Sequence, residues 1–194
     1  MKIKFFKIIF LLALTSSVTI SCVGDDDYAI PTVKDYIFTE GFTNNWSDWT
    51  KYSVTGDQVW QLDTQFGNPG SCAKMSGFAN GSNNVNEDWL ISPVIDLTNE
   101  TSATLSFQTA SKFSGNLLEV KISSDYSGDN PNDATWTNLS AVLDTDTSNY
   151  IWTNSGNIDI SSFAGENVYL AFKYTSTSTA STTWEVDNIK ITKN

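Results

Sequence analysis

Apolar residues in this chain recur at every second position, and that period restricts the folds open to it. Ala103, Leu105 and Phe107 alternate with Thr104, Ser106 and Gln108, and Leu118, Val120 and Ile122 alternate with Glu119, Lys121 and Ser123. Val168, Leu170, Phe172 and Tyr174 repeat the pattern. Successive side chains of a strand point to opposite faces, so each run is a strand with one dry and one wet face. β-Branched and aromatic residues dominate these runs, as strands favour. Turn clusters such as Ser127-Gly128-Asp129-Asn130-Pro131-Asn132-Asp133 and Ser155-Gly156-Asn157 separate them. No window carries a helical stripe of useful length. The expected fold from Tyr36 to the C-terminus is all-β, with two antiparallel sheets packed face to face.

Two local features refine this picture. In the last strand Trp184 and Val186 share one parity while Ile189 and Ile191 take the other, so one extra residue sits near Asp187-Asn188. A period that slips by one marks a β-bulge, which bends a strand and re-aims a side chain. The tract Thr175 to Thr183, built only of Thr, Ser and Ala, reads as a hairpin loop between the strands ending at Tyr174 and beginning at Trp184.

Composition excludes several chemistries. Without residues 1–21, which take three lysines with them, the chain carries 8 Lys against 22 Asp plus Glu, a formal charge of −14. It has no arginine, so it is poorly equipped to neutralise phosphates and nucleic acid is not an expected partner. It has no histidine, which removes Ser-His-Asp and Cys-His catalysis and the usual zinc sites and leaves carboxylate pairs as the hydrolytic alternative. Cys72 is the one cysteine beyond Cys22, which the N-terminus below assigns to acylation, so no intramolecular disulfide is expected, and it reads as a small apolar strand residue.

The N-terminus gives an address. Lys2, Lys4 and Lys7 precede the apolar stretch Ile8 to Leu14, which is too short to span a bilayer as a helix, so residues 1–21 read as a secretory signal. Thr19-Ile20-Ser21-Cys22 resembles the lipobox of bacterial lipoproteins, which implies acylation of Cys22 and its exposure as the new N-terminus. Val23-Gly24-Asp25-Asp26-Asp27 resembles the acidic export tag of Bacteroidetes-type lipoproteins, which implies an outer-membrane lipoprotein facing the cell exterior. An ordinary signal peptide and a solvated linker are the competing readings. The expected organisation is a signal at 1–21, a lipidated tether at 22–35 and one β-sandwich at 36–194.

A family resemblance lies across the sandwich. Thr39-Glu40-Gly41-Phe42, Ala73-Lys74-Met75-Ser76-Gly77-Phe78, Glu87-Asp88-Trp89-Leu90-Ile91-Ser92-Pro93 and Trp184-Glu185-Val186-Asp187-Asn188-Ile189 occur in order. Together they resemble the choice-of-anchor J domain, a relative of the cleaved adhesin and MAM-type jelly rolls. The resemblance implies a jelly-roll β-sandwich that binds or adheres outside the cell without catalysis. It also implies a structural calcium where first and last strands meet, held by Glu40 and Asp187 with Asn188. Solvated carboxylates at strand ends are the alternative.

Seven Trp and seven Tyr are many for an acidic module. Planar rings stack on the apolar faces of sugars, so the expected function is a binding module for glycan or extracellular protein. Trp46, Trp49, Trp60, Trp136, Tyr150 and Trp152, near turn-rich segments, are the candidate ligand-facing rings, while Trp89 and Trp184 belong to the core. The alternatives are a structural subunit pairing through sheet edges and, further off, a carboxylate-pair glycoside hydrolase.

Overall fold

A computed structural model describes residues 34–43 and 46–193. The leader 1–21, Cys22 and nearly all of the tether lie outside the described residues. The strands are β1 (Tyr36–Glu40), β2 (Thr50–Thr55), β3 (Gln61–Gly67), β4 (Gly70–Ser76), β5 (Phe78–Ala79), β6 (Ser82–Asn83), β7 (Asn86–Ile91) and β8 (Ile95–Asp96). They continue as β9 (Ala103–Lys112), β10 (Glu119–Ser123), β11 (Thr137–Asn138), β12 (Thr153–Asn154), β13 (Ile158–Asp159), β14 (Asn167–Ser176) and β15 (Thr183–Lys193).

The first sheet runs β12-β9-β15-β4-β3, with β1 beside β15 and β13 beside β9; the second runs β11-β10-β14-β7-β2, with β8 beside β14. Neighbours pair antiparallel. The result is a jelly-roll β-sandwich, as the period-two runs require. Leu105, Phe107, Trp184 and Val186 from one sheet meet Val120, Leu170, Phe172 and Tyr174 from the other in one apolar core. Phe107 and Phe172 meet edge to face, centroids 5.3 Å apart.

Trp89 is buried, but on the outer side of the second sheet rather than between the sheets. It packs with Ile91, Tyr126 and Ala171, and with Trp136 at a centroid distance of 5.3 Å. The apolar run Trp89-Leu90-Ile91 is therefore continuous because β7 is covered on both faces.

The bulge stands where parity places it. Asp187 opposes Gln108 and Lys190 opposes Ser106, so three residues of β15 advance against two of β9. Asn188 takes the left-handed region at φ 52°, which Asn tolerates better than most residues. The Thr/Ser/Ala tract corrects the hairpin expectation: its flanking strands β14 and β15 lie in opposite sheets, so it is a crossover between layers. Alternation shows that two strands exist but not whether they pair.

Candidate functional site

The outer face of the first sheet carries two adjoining rows of polar side chains. Directly opposed residues form one row, Gln61, Lys74, Glu185 and Ala110, across β3, β4, β15 and β9. Two residues further along the strands a second row holds Asp187, Gln108 and Asn154. The loops around this face add aromatics to the first row and amides to the second.

At the first row a cleft of about 270 Å³ is lined by Phe66, Lys74, Tyr150, Trp152 and Glu185. Phe66 is 59% exposed, and Tyr150 and Trp152 are half-buried, so three rings border one concavity. Lys74 Nζ lies 3.0 Å from Asp63 Oδ2, 3.7 Å from Glu185 Oε1 and 5.7 Å from the Phe66 ring centroid. Lys112 Nζ lies 5.7 Å from the Tyr150 centroid.

Glu185 is 2% exposed, and burial pushes its carboxyl up to about 7; the Lys74 ammonium opposes that lift and Asp63 adds to it. Burial acts on Asp63 in the same sense, but the Gln65 N–H and the Lys74 ammonium outweigh it and hold that carboxyl below its ordinary value. Burial lowers Lys74, yet Asp63 and Glu185 outweigh it and hold the ammonium above its usual range. Cys72 is fully buried on β4, and burial lifts its thiol far from ionisation, so it is inert as a nucleophile.

The second row opens into a trough of about 350 Å³ lined by Asn68, Gln108, Asn154, Asn157, Asn188 and Lys190. Gln108 Oε1 accepts from Asn68 Nδ2 at 3.1 Å and Asn188 Nδ2 at 2.8 Å, while Gln108 Nε2 donates to Asn154 Oδ1 at 2.8 Å. Four carboxamides thus hold one another in orientation.

Of the rings singled out by sequence, Tyr150 and Trp152 come together here. The other four do not, and burial corrects the ligand-facing expectation for Trp46, Trp49 and Trp60, while Trp136 is half-buried on the second sheet. Trp46 and Trp49 pack on Phe42 at 6.0 and 5.5 Å, and Trp49 Nε1 donates to Glu40 Oε2 at 3.0 Å. Trp60, 2% exposed, donates to the Asp88 carbonyl at 3.3 Å. Trp136 lies on Trp89 and Tyr126 and donates to the Pro131 carbonyl at 2.8 Å, pinning its own loop. Proximity to turns selected these residues, and an indole also suits a buried site that offers its N–H an acceptor. Phe66, Lys74 and Glu185 were missed. Lys74 and Glu185 stand at the wet parity of apolar strands, a signal that becomes legible once β4 and β15 are known to be neighbours.

Glu40 and Asp187 do converge, since β1 pairs along β15. Burial lifts the Asp187 carboxyl above its ordinary value; the Asn68 and Asn188 N–H groups oppose this and the Glu40 charge reinforces it. Neither carboxylate joins an ion pair among the described residues. All four of their oxygens already accept an N–H, from Phe42 and Trp49 on Glu40 and from Asn68 and Asn188 on Asp187, so a hard cation there would take only their remaining lone pairs. Asn188 Nδ2 donates to the Asn68 carbonyl and to Gln108 Oε1 in the trough, which ties the expected ligand set to the amide row.

The family model described as a domain of unknown function (DUF5017) matches residues 94–194, just over half of the chain. The chain belongs to this family. The DUF5017 match takes in Tyr150, Trp152, Glu185 and the amides of β9, β12 and β15, and stops short of Phe66 and Lys74. No curated protein matches the chain. Among solved structures, the K1 cleaved adhesin domain of Lys-gingipain from Porphyromonas gingivalis W83 is 19% identical with a TM-score of 0.56. That match covers 81% of this chain and 98% of that one. The K3 cleaved adhesin domain of the same protein is 16% identical with a TM-score of 0.57, over 84% and 100% of the two chains. At these identities the DUF5017 chain shares their fold.

Proposed function

We propose that this protein is a lipid-anchored, non-catalytic glycan-binding module of choice-of-anchor J type at the outer face of the outer membrane, and that the wet face of its first sheet is the binding surface. The observation carrying this reading is the convergence of Phe66, Tyr150 and Trp152 on one cleft beside an oriented set of amides. Rings stack on the C–H faces of a pyranose, and fixed carboxamides donate to and accept from hydroxyls. The fold shared with cleaved adhesin domains agrees with a binding role. Asp63 and Glu185 are not placed as a free hydrolytic acid pair, because the Lys74 ammonium stands within 4 Å of both and ion-pairs them. Glu40 and Asp187 hold a structural calcium that ties the first strand to the last.

The test is an immobilised oligosaccharide panel probed with the parent and with Trp152→Ala, Tyr150→Ala and Phe66→Ala. Each variant should weaken binding about tenfold to a hundredfold with an unmoved melting temperature. Binding that survives all three, or no binding to any sugar, overturns the glycan reading. Anchoring is tested separately: the mature protein should lack residues 1–21 and carry acyl mass on Cys22. An unmodified Cys22 overturns it.

A further inference from the structure

On β7 and in the segment between β2 and β3, three buried oxygens have no hydrogen-bond partner: Gln58 Oε1, Asn86 Oδ1 and Asp88 Oδ1. Asn86 is 2% exposed and Asp88 1%. The three residues form one neighbourhood. Asn86 Nδ2 donates to the Gln58 carbonyl at 3.0 Å and to Asp88 Oδ2 at 3.1 Å, so its carboxamide sits between the other two residues. Gly56, at φ 98°, lets the chain turn directly over Asn86; a Cβ there would lie 2.3 Å from Asn86 Nδ2 and 2.7 Å from the Val85 carbonyl. Trp60 closes the site from the side by donating to the Asp88 carbonyl.

Buried polar groups are satisfied in native proteins, and each orphan acceptor costs about 1–3 kcal/mol. Every orphan here is an oxygen, and no buried donor among the described side chains lacks a partner. The absent partner therefore supplies positive charge or protons and takes nothing back. A water has two protons for three acceptors and lone pairs of its own to satisfy, whereas a hard cation takes oxygen ligands only.

We propose that Gln58, Asn86 and Asp88 bind a divalent cation of the calcium class through their unpartnered oxygens. Backbone carbonyls or water complete the shell. With a single carboxylate the site is weak, in the range of about 10⁻⁴–10⁻³ M typical of extracellular modules. It lies on β7 and its approach, in a different sheet from Asp187, and does not depend on glycan binding.

The full-length chain is titrated with terbium, excited through tryptophan, and then competed with calcium. Trp60 sits beside the site and sensitises the emission. Asp187→Asn keeps the Trp60-dependent signal, Trp60→Phe dims it, and Asp88→Asn abolishes the corresponding calcium competition. Gln58 is half-buried, so Gln58→Leu should fold even if Asp88→Asn does not, and it should weaken calcium about tenfold. Two results overturn the site. One is an unchanged calcium titration in Gln58→Leu; the other is an Asp187→Asn protein that binds neither ion up to about 10 mM.

Discussion

Replacing Phe107 by alanine lowers the free energy of unfolding by about 3–5 kcal/mol, read as a drop in the urea midpoint at constant slope. Phe107 is 1% exposed and belongs to the first sheet, while its edge-to-face partner Phe172 belongs to the second. The truncation leaves a void between layers that share no backbone ladder, and strands held in ladders cannot collapse to fill it. Phe172→Ala should cost a similar amount. The double variant should then be less destabilised than the two costs together, by about 0.5–1.5 kcal/mol for the lost ring contact. A Phe107→Ala loss below about 1 kcal/mol would mean that this pair does not fasten the two sheets.

The readability of this molecule follows the same division between what is local and what is not. Alternation at Ala103–Phe107 and Val168–Tyr174 is a property of single strands, so the all-β class and the dry faces were open to inspection in the sequence. The bulge at Asp187-Asn188 was open for the same reason, because it breaks a parity within one strand. Which strands are neighbours is decided by long-range packing, which alternation within one strand does not report. The chain after Ser176 crosses between layers where alternation alone suggests a hairpin, and Trp89 is buried as its strand predicts, though on the outer side of the second sheet. Of the candidate site, Tyr150 and Trp152 were found because they are large rings in turn-rich sequence. Trp46, Trp49 and Trp60 fit that description equally well, yet Phe42, Glu40 and the Asp88 carbonyl had already claimed them. Lys74 and Glu185 became a pair only when β4 met β15.

Glu185→Gln should make the protein more stable at about pH 8 by up to about 3 kcal/mol and leave it nearly unchanged at about pH 4. The folded-state pKa of this carboxyl is raised from 4.5 to about 7, so the native state holds a proton that the unfolded chain has released. Its contribution to stability is complete below about pH 4.5 and is lost as pH climbs through about 7. A glutamine mimics the protonated form at every pH, so the parent should fade across that window while the variant holds. The groups facing Glu185 support this sign. Lys74 keeps its 3.0 Å contact with Asp63 when Glu185 is gone, while Asp63 itself repels the Glu185 charge. Asp88, lifted to about 6 chiefly by burial, acts in the same direction lower in the range, so the variant retains a shallower slope there. Melting temperatures across pH in chelator read the difference, and a variant less stable than its parent at about pH 8 would sink the assignment. Glu185 also lines the aromatic cleft together with Lys74, so the substitution changes the polar lining of the proposed binding surface. The stabilised Glu185→Gln protein should therefore bind sugar less well than the parent.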